Sequence, residues 1–209
     1  MADKEILIFV EGPSDKVFLE VYLYFLEDIP IKNFKVKDVT GKDNLSKRLL
    51  EIEKYDKTLI IFDADKDYES NKKEILKVVS KTKQTISEEQ IFLFPNNQDD
   101  GDLETLLSEI ANYKEFINCF ESYLDCIKKK EHYKPIKNIR KSMWYAYLEV
   151  LGLENLTKTD GKDKIKEKHK EEYEKLKEVI DFSLNSLIPL KNFLEKSTEN
   201  KQKTKLKIF

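Results

Sequence analysis

The sequence predicts an α/β protein: a four-stranded, mainly parallel sheet flanked by helices, followed by a helical C-terminal half. Three observations predict it. Short uninterrupted apolar runs at residues 5–10 (EILIFV), 58–62 (TLIIF) and 91–94 (IFLF) have the pattern of strands covered on both faces. Segments with apolar residues at helical spacing separate them, the alternation that builds parallel sheets through crossover connections. Beyond residue 112 only helical spacing remains.

Taken in order, the first run is broken by Gly12 and Pro13, and Ser14 is a good helix cap. Val17, Phe18, Val21, Tyr22 and Phe25 then recur with helical period. Residues 34–39 (FKVKDV) alternate like a more exposed strand. The turn Thr40-Gly41-Lys42-Asp43 leads into a helix carrying Leu45, Leu49, Leu50 and Ile52. After the run at 58–62, a Lys-flanked helix carries Ile75, Leu76, Val78 and Val79. Pro95 closes the last strand, and Leu103, Leu106, Leu107 and Ile110 begin another helix. Residues 1–112 are therefore expected to form the α/β core. Helices are expected over 113–130, 136–151 and 165–182, with a short one starting near Pro189. Together they make a helical extension, 113–196, packed on the core, before a polar Lys-rich tail at 197–209.

Composition narrows the function classes. Apolar residues make up 40% and charged residues 37%, which is highly charged yet sufficient for a buried core. The net charge of −2 argues against a protein that grips nucleic acid by charge alone, but not against a metal enzyme, whose bound ions supply positive charge locally. Cys119 and Cys126 are the only cysteines, and no Cys/His grouping suggests zinc. No apolar run approaches the roughly 20 residues of a membrane helix. The opening MADKEILIFVEGPSD has too short an apolar run for a signal peptide, so a cytoplasmic location is expected. Neither a phosphate-binding GxxxxGK loop nor a GxSxG nucleophile motif occurs.

The acids fall where a parallel sheet would gather them. Glu11 directly follows the first strand, with Gly12 behind it and Asp15 a helical turn later. Asp63 directly follows the run at 58–62 and opens Asp63-Ala64-Asp65-Lys66-Asp67. Asn96, Asn97, Asp99, Asp100, Asp102 and Glu104 crowd the end of the fourth strand. Several carboxylates at one edge repel unless a cation joins them, and hard oxygen donors suit Mg²⁺ or Mn²⁺. Gly12 would let a phosphate approach the backbone, and Lys42, Asn96 and Asn97 are the other candidate substrate contacts. Each acid also has a plainer reading as a helix cap or dipole partner. Asp63, Asp65, Asp67 and Glu74 match four positions of a calcium-binding EF-hand loop, but Tyr68 stands where that loop needs Gly. The aromatic series Tyr113, Phe116, Phe120 and Tyr123 reads as core, and Lys134, Lys137, Arg140 and Lys141 as a solvated helix face.

With Glu11-Gly12 after strand one and Asp63-Ala64-Asp65 after strand three, the first 110 or so residues resemble the Toprim domain of topoisomerases, primases and OLD-type nucleases. More narrowly, VEGPSDKVFLEVYL, FLFPNNQDDGDLETLL and FSLNSLIPLKNFL are similar to short stand-alone Toprim-related bacterial proteins of unassigned function. The resemblance implies that Glu11 is a metal ligand or general acid/base and that Asp63 and Asp65 are a metal-binding pair. By likeness to OLD-type nucleases it implies that Asp15 and Glu104, with Asp100 and Asp102 alongside, hold a second metal. Asp67-Tyr68-Glu69 departs from the Gly-Glu that follows Asp-x-Asp in the ribosomal-RNA maturation nuclease, which speaks against that substrate. The expectation is a Mg²⁺- or Mn²⁺-dependent nuclease with catalytic Glu11, Asp63 and Asp65, acting on nucleic acid, with a partner ATPase conceivable and no membrane. The alternative is a non-catalytic module that binds nucleic acid or a partner, its acids holding a structural ion.

Overall fold

The computed structural model describes residues 6–25, 34–153 and 170–198. Its centre is a four-stranded, all-parallel sheet of β1 (Ile6–Val10), β2 (Phe34–Asp38), β3 (Lys57–Asp63) and β4 (Ile91–Phe94) in the order β2-β1-β3-β4. The sheet forms because three of the four strands have no polar interior. Leu7 to Val10, Leu59 to Phe62 and Ile91 to Phe94 are at most 1 % exposed. Burying each such side chain stabilises the fold by roughly 1.5–3 kcal/mol.

Alternate residues divide between the two faces, as the pleat requires. Ile8, Val10, Leu59, Ile61, Phe92 and Phe94 face α1 (Pro13–Phe25) and α4 (Leu103–Ile110). The same apolar cluster takes in α5 (Lys114–Ile127), α6 (Ile139–Val150), α7 (Lys170–Val179) and α8 (Ile188–Thr198) through Ile117, Trp144, Leu176 and Leu190. Leu7, Phe9, Ile60, Phe62 and Leu93 face α2 (Leu49–Ile52) and α3 (Tyr68–Val79) through Ile52, Ile75 and Val79. The result is an α/β/α layering. Lys57 Nζ donates to the Ser197 carbonyl, fastening α8 to the start of β3.

The structure differs from sequence expectation in several places. The helix expected around Leu45–Ile52 begins as a 3-10 segment, Lys42–Arg48, and becomes α-helical only for its final turn. Leu45 and Ile52 reach the core, whereas Leu50 points to solvent at 78 % exposure. On α5 the buried line is Ile117 and Leu124, and Tyr113, Phe116 and Tyr123 are exposed rather than core. The helix expected over 165–182 is described from Lys170 to Val179; 165–169 and most of the Lys-rich tail lie outside the described residues. No helix among the described residues is long and apolar enough to cross a membrane.

Candidate functional site

The chain leaves β1 outward to β2, then returns to the other side of β1 to form β3. Adjacent crossovers thus depart in opposite directions beyond the carboxyl ends of β1 and β3, where open parallel sheets form their crevices. Glu11 and Asp63 stand at those two ends. Parallel pairing continues past β1, because Val39 N–H donates to the Val10 carbonyl (3.0 Å) and Gly41 N–H to the Glu11 carbonyl (2.9 Å). This lays the β2–α2 loop, with Lys42, alongside Glu11.

Four carboxyl groups meet here in a desolvated setting. Burial, then the charge of Asp65, pushes the Glu11 carboxyl up, against Lys42 and the backbone N–H groups of Asp63 and Lys42. Its Oε2 is buried without a hydrogen-bond partner. Asp15 is only 7 % exposed and its Oδ2 accepts from Gly12 N–H at 2.7 Å. Burial raises it to about 7, with Glu104 and Glu11 adding repulsion, while the Gly12 N–H and Lys141 oppose the rise. Asp63 Oδ1 accepts from Leu103 N–H at 2.9 Å, which moors the start of α4 to the end of β3. Its carboxyl is raised well above the ordinary range by burial, then by Asp15, Glu11 and Glu104. Glu104, in the first turn of α4, is 6 % exposed and also raised, chiefly by burial, with Asp102 adding and Lys141 and Arg140 opposing. Solvent exclusion comes first among the causes in every case, and mutual repulsion of like charges follows.

Asp65 stands beside this group. Its backbone lies in the left-handed region (φ 55), and its N–H donates to the Gly101 carbonyl at 2.6 Å. That geometry turns its side chain toward Lys42, whose Nζ donates to Asp65 Oδ2 at 2.8 Å and to Asn71 Oδ1 at 3.0 Å. Asn71 Nδ2 in turn donates to the Ala64 carbonyl at 2.5 Å, fixing the loop between the two aspartates.

The remaining candidates have structural employment. Asp102 caps α4, its Oδ1 accepting from Thr105 N–H (2.9 Å), and its Oδ2 accepts from Arg140 Nε (2.7 Å). Asp100 Oδ1 accepts from Tyr68 N–H (2.8 Å). Asn96 folds back on Gln98 and Asp99, and Asn97 (φ 63) accepts from Leu93 N–H at 3.1 Å. The structure therefore gathers Glu11, Asp15, Asp63 and Glu104, sets Asp65 and Lys42 at their side, and engages Asp100, Asp102, Asn96 and Asn97 in holding the loop. Sequence reasoning did not foresee Asn71 as the partner of Lys42. It also took Arg140 and Lys141 for a solvated face, whereas Arg140 pairs with Asp102 and Lys141 faces Glu104 and Asp15. Arg140 and Lys141 are the only two basic residues of α6, and helical spacing alone does not say that they lie beside the acids at the sheet edge.

Among the described residues, no group of three or more His, Cys, Asp or Glu side chains stands close enough to enclose an ion as placed. The donor chemistry nonetheless fits a hard divalent cation. The donors are all carboxylate oxygens, they repel one another, and one of them has no partner. Glu11, Asp63 and Asp65 would hold such an ion, with Asp15 and Glu104 behind them.

The chain belongs to the family described as "Protein of unknown function (DUF3226)", whose model matches residues 5–199. No curated protein and no solved structure matches it.

Proposed function

We propose that this protein is a Toprim-type, Mg²⁺- or Mn²⁺-dependent hydrolase of nucleic-acid phosphodiesters. The observation that carries the reading is the set of buried, mutually repelling carboxyl groups at the carboxyl edge of a parallel sheet, including the unpartnered Glu11 Oε2. Uncompensated charge of this kind is costly and persists where a ligand or reaction needs it. A divalent ion there supplies Lewis acidity and charge neutralisation. Glu11, Asp63 and Asp65 would hold the ion, and Glu11, which the Toprim resemblance casts as a metal ligand or general acid/base, is the group at the end of β1 that would exchange a proton with water. Asp15 and Glu104 complete the negative rim. Gly12 leaves the backbone open, since a Cβ there would meet only Asp15 Oδ2 at 3.7 Å. Arg140 and Lys141 flank the acids on one side and suit the phosphates of a strand lying across the edge, while Lys42 on the other side pairs with Asp65. The working location in this reading is the cytoplasm, and the partner protein it envisages is an ATPase.

A second reading is a non-catalytic nucleic-acid or partner-binding module with a structural ion. It is favoured by the ion pair that already occupies Asp65 and by the open arrangement of the acids. Incubating the purified protein with Mg²⁺ or Mn²⁺ and single- and double-stranded DNA and RNA separates the two. Cleavage that disappears in Asp63→Ala supports the hydrolase. Metal binding without cleavage of any of these substrates ends it in favour of the module.

A further inference from the structure

The Lys42 ammonium occupies the place of a counter-ion. It bonds Asp65 Oδ2, lies close enough to Glu11 to be stabilised by it, and its backbone N–H faces the Glu11 carboxylate. Asp65 and Lys42 are not sealed in: their side chains are 47 % and 35 % exposed, so this pair is of the weak, exchangeable kind. A second place for the ammonium adjoins the first. A cavity of about 110 Å³ lies between the 3-10 segment and α3, bordered by Asp63 at the acids and lined beyond it by Lys42, Ser46, Asn71 and Glu74 over a floor of Phe62 and Ile75. Lys42 already reaches one wall of it through Asn71 Oδ1 at 3.0 Å, and Glu74 attracts it from the same side.

We propose that Lys42 is a resident cation which a divalent metal must displace from Asp65, and that its ammonium then retreats into the cavity toward Asn71 and Glu74. The inference rests on the reading of Glu11, Asp63 and Asp65 as the metal-facing acids. Lys42 is in this account a positioning residue. It holds Asp65 in place and moderates repulsion while the metal is absent, and it competes with the metal for the same carboxylate. Two positive charges held by one carboxylate oppose each other, so loading proceeds by exchange rather than by addition.

The test measures Mn²⁺ binding to the full-length protein by calorimetry and by the loss of the free-Mn²⁺ electron paramagnetic resonance signal, independently of any activity. Lys42→Met keeps the length of the side chain and removes its charge, and should tighten Mn²⁺ binding by roughly three- to tenfold. Glu74→Gln removes the attraction on the cavity side, and should weaken Mn²⁺ binding when Lys42 is present but not in the Lys42→Met background. A long-range charge effect of Glu74 on the metal alone would persist in both backgrounds. Lys42→Gln, more tolerant of solvent, repeats the comparison should Lys42→Met fail to fold by circular dichroism. Mn²⁺ binding that is abolished by Asp63→Asn yet unchanged or weakened by Lys42→Met overturns the inference and leaves the metal centre standing. A Glu74→Gln effect of equal size in both backgrounds overturns it as well. Failure of the wild-type protein to bind Mn²⁺, or binding indifferent to Asp63→Asn, removes the metal centre and the exchange with it.

Discussion

Replacing Asp15 with Asn should make the metal-free protein more stable at alkaline pH. The Asp15 carboxyl is 7 % exposed, holds Gly12 N–H at 2.7 Å, and is pushed from 3.8 to about 7. Its folded-state affinity for a proton exceeds its unfolded-state affinity, so folding takes up a proton between about pH 4 and pH 7. Stability from this group therefore falls as pH rises through that window, and the penalty is complete above it. At about 1.4 kcal/mol per tenfold change in proton affinity, the penalty at pH 8 is about 4 kcal/mol. Asn keeps an oxygen for the Gly12 N–H and carries no charge, but burying its imperfectly paired amide returns about 1–3 kcal/mol. The net expectation is a gain of about 1–3 kcal/mol, seen as a rise in Tm of about 2–4 °C for each kcal/mol. The assay is thermal and urea denaturation followed by circular dichroism in EDTA, at pH 8 and at pH 4. At pH 4 the wild-type carboxyl is protonated in the fold, so the advantage should vanish or reverse. A variant that is less stable than wild type by the same amount at both pH values would refute the reasoning. That result would mean the Gly12 contact, and not the charge, decides what Asp15 does for the fold.

Gly101→Ala should cost about 1–3 kcal/mol, because Gly101 has φ 146 and a Cβ there would come within 2.9 Å of Pro95 Cδ. Since Gly101 also receives the Asp65 N–H, Mn²⁺ affinity measured by calorimetry should fall with it. Tyr147→Phe deletes a hydroxyl that donates to the Val179 carbonyl (2.6 Å) and accepts from Tyr113 N–H (3.2 Å). A loss of about 1–3 kcal/mol is expected in urea melts, with faster amide exchange in α7. Leu59→Ala, in the fully buried β3, should cost about 2–5 kcal/mol by the same melts.

The sheet was legible because its strands are the plainest signal a sequence can carry. EILIFV, TLIIF and IFLF have no polar interior, and the helices between them keep a 3.6-residue period. The placement of Glu11 and Asp63 followed from topology, since each directly follows a strand and parallel strands share one carboxyl edge. Contacts set by loop backbone were not legible. Asp65 turns toward Lys42 because its φ is 55, and Asn71 reaches both Lys42 and Ala64 across a turn whose shape no periodicity encodes. Asp100 and Asp102 illustrate the same limit. In the sequence they resemble any other acid near the fourth strand, whereas the fold uses them on Tyr68 N–H and on the α4 cap with Arg140. Nor does helical spacing alone tell the inward face of α5 from its outward one, since Ile117 is buried while Phe116 beside it is exposed.

Helix α6 joins two tasks in a single rod. Its Trp144, Tyr147 and Leu148 are embedded in the cluster that covers Phe92 and Phe94, while Arg140 and Lys141, one turn earlier, reach the acidic rim. Trimming the chain near residue 112 would leave α1 and α4 on that side of the sheet but bare their outer apolar surfaces, and Phe92 where Phe193 packs on it, and would strip two counter-charges from the carboxylates in the same cut. The two halves of this molecule are for that reason poor candidates for exchange as modules, and a graft of the rim onto another scaffold must bring this helix along.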